Sequence, residues 1–200
     1  MRPTLPFGLY GVADATYGDP LAQGHLLIDE GLQVVQLRCK GWSTADRAAV
    51  GRPLAARLGA RGGLLIMNDD LEAALACGAQ GLHLGQGDGA LAEARARLPP
   101  GALLGRSTHT PEQVAAAADE ADYLGFGPLF GTTTKETPWT PRAPLLAAAL
   151  AAAGRTPVVG IGGLSAARLP ALRAAGLRHW AVISAIHCAP SAAGAVAALR

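Results

Sequence analysis

The chain has 200 residues, half of them hydrophobic and 16% charged, enough to bury one full core, so a single domain over residues 1–200 is expected. A net charge of +2 with three residues each of Trp, Tyr and Phe offers neither a basic nucleic-acid surface nor a base-stacking platform, and small anionic ligands fit better. Cys39, Cys77 and Cys188 are odd in number, far apart and without a Cys-x-x-Cys pair, which implies no disulfide framework and no zinc site, and suggests a reducing compartment.

The N-terminus, Met1 to Pro6, lacks an apolar signal core, and the alanine-rich stretches are broken by Arg and Gly too often to span a bilayer. A cytoplasmic protein without a membrane partner is therefore expected. From there the chain alternates. Eight short apolar runs recur: Leu9 to Ala13, Val34 to Leu37, Leu64 to Met67, Gly81 to Leu84, Leu103 to Gly105, Tyr123 to Phe126, Val158 to Ile161 and Trp180 to Ile183. Runs of this kind, apolar on both faces, are what a parallel sheet covered by helices produces. Between them lie Ala-, Leu-, Arg- and Glu-rich helical segments, including Thr44 to Leu58, Leu71 to Cys77, Leu91 to Leu98, Pro111 to Glu120 and Leu145 to Ala153. Ser43-Thr44, Thr110-Pro111-Glu112 and Ser165 offer N-cap side chains. A quasi-repeat relates Cys77 to Leu84 with Ala175 to Val182, each leaving a helix through a glycine suited to a left-handed C-cap.

Eight strands alternating with helices predict a (β/α)8 barrel of the TIM type, an α/β fold whose active site lies at the carboxyl ends of the strands. A doubly wound open sheet is the alternative. No dinucleotide glycine fingerprint follows the first strand, where the sequence reads Tyr10-Gly11-Val12-Ala13-Asp14.

Polar residues collect at those strand ends. Strand 2 finishes Gln36-Leu37-Arg38-Cys39-Lys40, with Arg38 and Lys40 on one side of an extended chain. Strand 3 ends Asn68-Asp69-Asp70 and strand 4 His83-Leu84-Gly85-Gln86-Gly87-Asp88, so Asp69 and Asp88 close consecutive strands. Such carboxylates suit Mg2+, which binds through few protein ligands plus waters and substrate phosphates. Of the neighbouring pair, Asp69 reads as the ligand and Asp70 as the cap of the helix from Leu71. Ser107 and His109 after strand 5 can hydrogen-bond a leaving group or substrate, but form no hydrolase triad. The loop Gly125 to Lys135 reads as an anion cradle: Thr132 and Thr134 supply hydroxyls and Lys135 a positive charge. The glycine turn Gly160-Ile161-Gly162-Gly163 and the end of strand 8, Ile183-Ser184-Ala185-Ile186, are where this barrel class builds its phosphate site. His25, His179 and His187 fit helix or helix-end positions without matched partners and read as structural or exposed. Trp42 and Trp139 fall in or beside active-end loops, as packing residues or as lids.

Taken in order, Tyr10 to Asp14, Gln36 to Lys40, Asn68 to Asp70, Gly81 to Asp88, Ser107 to Thr110, Gly125 to Lys135, Gly160 to Gly163 and Val182 to Ile186 give a chain that resembles the thiamine phosphate synthase family. A thiazole tautomerase of the same barrel fold is a close relative. The resemblance implies a transferase of thiamine biosynthesis that joins 4-amino-5-hydroxymethyl-2-methylpyrimidine diphosphate to 4-methyl-5-(2-hydroxyethyl)thiazole phosphate, by magnesium-assisted dissociative substitution. It implies that Gln36 and His83 hold the pyrimidine, and that Arg38, Lys40, Asn68, Ser107 and Lys135 hold the pyrophosphate. Asp69 and Asp88 would hold magnesium. Thr132 and Thr134, with the backbone around Gly162, Gly163, Ile183 and Ser184, would receive the thiazole phosphate. Gly131 stands where the synthase loop usually has proline, and Arg106 before Ser107 resembles the tautomerase branch. Two other readings stay open: a tautomerase of thiazole carboxylate phosphate with His109 as acid-base group, or a noncatalytic thiamine-pathway binding or regulatory protein. The sequence leaves oligomeric state open, a homo-oligomer included.

Overall fold

The computed structural model describes residues 5, 6, 8–131 and 142–200. Eight strands, β1 (Gly8–Asp14), β2 (Val34–Arg38), β3 (Leu64–Asn68), β4 (Gly81–Leu84), β5 (Leu103–Thr108), β6 (Tyr123–Phe126), β7 (Val158–Ile161) and β8 (His179–Val182), close into a barrel in sequence order. Every neighbouring pair is parallel, β8 returning to β1 through Gly8 opposite His179. Around them run α1 (Pro20–Asp29), α2 (Thr44–Gly59), α3 (Leu71–Cys77), α4 (Leu91–Arg97), α5 (Pro111–Ala117), α6 (Leu146–Ala153), α7 (Leu169–Ala174), α8 (Ser184–His187) and α9 (Ala192–Leu199). This is the expected TIM barrel. No helix among the described residues is long and apolar enough to cross a membrane.

The pleat divides each strand between two cores, because successive side chains point to opposite faces. Outward residues, among them Val35 and Leu37, Leu65 and Met67, Leu82 and Leu84, and Leu124 and Phe126, pack under the helices in the larger cluster. Inward residues, Tyr10, Val12, Val34, Ile66, Leu103, Tyr123, Val159 and Ala181, fill the barrel with Leu5 beneath them. The barrel interior is therefore packed with side chains beneath the carboxyl ends of the strands.

Local signals explain most element ends. Ser43, Asp70 and Thr110 accept hydrogen bonds from the backbone N–H of Asp46, Ala73 and Gln113 and so cap α2, α3 and α5. Gly78 (φ +71°) and Gly176 (φ +97°) turn the chain after α3 and α7 in the left-handed region, as the quasi-repeat predicts. Three expectations change. Ser165 precedes a short 3-10 turn without a capping side-chain bond. The α5 helix stops at Ala117 rather than Glu120. Strand β5 continues past Gly105, because Arg106, Ser107 and Thr108 stay in the ladder opposite Leu124, Gly125 and Phe126. Ser107 is thus fixed by a strand, not carried on a loop.

Candidate active site

At the carboxyl end of the barrel a cleft of about 240 Å3 is lined from all eight strands and the turns that follow them. Every described residue singled out in the sequence for a site meets there: Gln36, Arg38, Lys40, Asn68, Asp69, His83, Asp88, Ser107, His109, Gly162, Gly163, Ile183 and Ser184. Thr132, Thr134, Lys135 and Trp139 lie outside the described residues.

The floor is polar and hydrogen-bonded end to end. Gln36 Nε2 donates to Tyr10 Oη at 2.8 Å, and Tyr10 Oη lies 3.0 Å from Tyr123 Oη. Tyr123 Oη lies 2.9 Å from His83 Nδ1, and His83 Nε2 lies 2.9 Å from Ser107 Oγ. Burial pushes both phenols well above the ordinary tyrosine range, so they stay protonated at any working pH.

One wall is basic. Arg38 Nη1 sits 2.5 Å from Oδ2 of Asp14, a carboxylate with no solvent exposure that also accepts from the Thr16 N–H. Anchored in this way, the guanidinium is held at the cleft. The Lys40 ammonium is mostly exposed and pairs with Asp69 Oδ2 at 3.2 Å. Trp42, just beyond it, is 37% exposed, so it is not a core packing residue.

Beside it, after the next two strands, lie two carboxylates. Asp69 is held by the Asn68 amide at 2.8 Å, and its φ of +62° is unusual for a residue with a side chain, though Asp tolerates it better than most. Asp88 accepts from the Gly85 N–H at 2.9 Å. Burial first, and then the neighbouring Asp69 carboxyl, raise its pKa above the usual carboxylate range. Asp70 turns away: it caps α3 and pairs with Arg47 Nη1 at 2.6 Å, and its pKa is lowered because the Ala73 N–H, Arg47 and Thr44 outweigh burial. Asp70 is thus the cap expected from the sequence, and Asp69 lines the cleft.

The donor set suits a hard divalent cation. Two adjoining carboxylates, one resisting ionisation beside the other, gain from a cation between them, and magnesium takes few protein oxygens when phosphates and waters complete its shell. No group of three or more His, Cys, Asp or Glu converges as a metal site among the described residues, so the protein alone forms no closed cage there.

Other residues at this rim brace the first ones. Arg106 points away from the cleft floor and donates to the carbonyls of Gly85 and Gly89, clamping the turn that carries Asp88. The Gln86 amide donates to the Ser107 carbonyl. His109 Nδ1 lies 2.6 Å from the Gly127 carbonyl, which orients its ring. Beyond it, Gly162 and Gly163 take positive φ, Phe130 N–H donates to the Gly162 carbonyl at 3.0 Å, and the Arg168 guanidinium lies 4.3 Å over the Phe130 ring. Helix α8 opens at Ser184 beside them, so the turns after β7 and β8 share one corner.

The three histidines expected to lack partners have them, His179 through the Pro6 backbone. His25 Nδ1 lies 3.0 Å from Arg57 Nη1 between α1 and α2, and His187 Nε2 lies 2.7 Å from the Val12 carbonyl. Asp14, Tyr10 and Tyr123 were missing from the sequence-based site. Strict alternation along β1 carries the signal for two of them, since Tyr10, Val12 and Asp14 share the inward face.

The family model described as thiamine monophosphate synthase matches residues 9–186. Among curated relatives, the thiamine-phosphate synthase of Laribacter hongkongensis is 39% identical over 195 residues, covering 93% of this chain and 90% of its own. That of Parasynechococcus marenigrum is 47% identical over 161 residues, covering 78% of this chain, and the chain spans only 45% of its length. Among solved structures, the thiamine phosphate pyrophosphorylase of Pyrococcus furiosus superposes with a TM-score of 0.85 at 26% identity, covering 96% of this chain and 93% of that one.

Proposed function

Because the chain belongs to the thiamine monophosphate synthase family, we propose that it joins hydroxymethylpyrimidine diphosphate to hydroxyethylthiazole phosphate, giving thiamine phosphate and pyrophosphate. One observation carries this reading. The anchored guanidinium of Arg38, the exposed charge of Lys40, the carboxylates of Asp69 and Asp88 and the donors Asn68 and Ser107 converge on one cleft, a distribution suited to a diphosphate leaving group.

In the proposed reaction the bond between the pyrimidine methylene carbon and the diphosphate oxygen breaks, its electron pair leaving with the diphosphate. The thiazole nitrogen lone pair then forms the new carbon–nitrogen bond, and no proton need be removed. Gln36 and His83, held by the tyrosine floor, would orient the pyrimidine ring against that carbon. Arg38, Lys40 and Ser107 would take up the charge that grows on the departing oxygen, stabilising it more than the ground state. Magnesium held by Asp69 and Asp88 would add positive charge at the diphosphate oxygens. The thiazole phosphate is assigned to the corner of Gly162, Gly163, Ile183 and Ser184, and to Thr132 and Thr134. Lys135 is assigned to the pyrophosphate.

Incubation of the protein with both precursors, with and without magnesium, followed by mass analysis, tests the assignment. Thiamine phosphate is expected only when both precursors and the metal are present. Product from the thiazole precursor alone, or binding without turnover, would reject it.

A further inference from the structure

We propose that Tyr10 and Tyr123 are positioning residues: a one-way hydrogen-bond chain from Gln36 through the two phenols fixes His83 as its Nε2–H tautomer and leaves the Ser107 hydroxyl to donate into the cleft. The consequence for catalysis rests on the proposed condensation; the tautomer does not.

Direction follows from proton counting. The Gln36 amide nitrogen carries only donors, so Tyr10 Oη accepts there. Tyr10 has one proton of its own and is 3% exposed, and a buried hydroxyl proton without an acceptor costs about 1–3 kcal/mol. Its partner for that proton is Tyr123 Oη, 3.0 Å away. Tyr123, with no exposure, must in turn pass its single proton to His83 Nδ1 at 2.9 Å. An imidazole nitrogen that accepts bears no hydrogen, so the ring proton sits on Nε2, from which it points to Ser107 Oγ at 2.9 Å. Ser107 accepts on one lone pair, and its own proton is released toward the cleft it lines.

Two features argue that this arrangement is built rather than incidental. Phenylalanine at positions 10 and 123 would fill the barrel with the same rings and bury no hydroxyl, so the two Oη atoms add desolvation that only their hydrogen bonds offset. The neighbouring strand also gives way: a Cβ on Gly105 would stand 2.2 Å from Tyr123 Cζ and 2.5 Å from His83 Nδ1. Any larger residue there would push apart the link between phenol and imidazole.

The experiment reads the tautomer directly. In free protein labelled with 15N-histidine at neutral pH, two-bond 1H–15N correlation should show His83, assigned by its loss in His83→Gln, with a bare Nδ1 and a protonated Nε2. A proton on Nδ1, or an averaged mixture, overturns the proposal. Tyr123→Phe should abolish the single tautomer and lower kcat by about tenfold or more, with KM for both precursors within about twofold of the parent. Added to Ser107→Ala it should lower kcat no further, because both act through one hydroxyl, and additive losses would count against the chain. Should Tyr123→Phe fail to fold, the parent spectrum decides alone. A parent protein without synthase turnover would remove the functional assignment while leaving the tautomer result standing.

Discussion

At the scale of single residues, charges at the barrel mouth are held by partners on the neighbouring strand or two positions along the chain. Asp14 is the example with the largest expected effect. It is buried, is balanced by Arg38 and a local N–H, and breaking a pair of this kind costs about 3 kcal/mol. Asp14→Ala should therefore lower the urea midpoint by that equivalent and raise KM for the pyrimidine diphosphate several-fold more than KM for the thiazole phosphate. Equal effects on both would show that Arg38 does not serve the diphosphate. Asp88 has the opposite balance. Its folded pKa is raised, so the folded state holds that proton more tightly than the unfolded chain. Stability from this group is therefore fully present below the ordinary carboxylate pKa and is lost as pH rises through the folded value. Without magnesium, Asp88→Asn should match the parent in Tm at acid pH, exceed it at neutral pH, and lose any magnesium-dependent rise in Tm. A magnesium-dependent rise that survives the substitution would remove Asp88 from the metal site.

At the scale of elements, the sequence reveals what a local rule decides and conceals what a neighbour decides. The α3 cap is local: Asp70 one residue before an Ala- and Leu-rich run can bond the Ala73 N–H, and it does. Its partner Arg47 comes from α2, which no spacing reveals. Losing the cap and the pair together in Asp70→Ala should cost about 2 kcal/mol, seen as a fall in the denaturation midpoint, with KM for both precursors unchanged. The Asp70 carboxyl has a lowered pKa, so its contribution is present above the ordinary carboxylate value and fades as pH falls through the folded one. An acid limb that is steeper in the parent than in the variant is the expected signature. The extension of β5 to Thr108 was hidden for the same reason, being set by pairing with β6 rather than by its own residues. Tyr10 and Tyr123 read as apolar strand residues, and only the register that brings Tyr123 opposite Gly105 and close to His83 shows their second use.

At the scale of the whole molecule, the barrel has no free sheet edge, since β8 pairs back to β1. Removing any strand breaks two ladders at once, so unfolding should be cooperative across the chain. Far-UV ellipticity and tryptophan fluorescence are expected to follow one urea transition, and separated midpoints would indicate a part that opens independently. The number and order of strands and the end of the barrel that carries the cleft were legible from eight apolar runs and the polar residues closing them. Links such as Arg38 with Asp14 were not, because the register that sets them opposite each other at the ends of β1 and β2 is fixed by pairing of the two strands rather than by either stretch alone. The pleat that sends Leu9 and Tyr10 to opposite sides of one strand also separates two kinds of change that could otherwise interfere during evolution. Substitutions on the inner rows can retune ligand preference while the helix jacket keeps its fit, and the jacket can drift toward heat or cold tolerance without disturbing chemistry at the mouth.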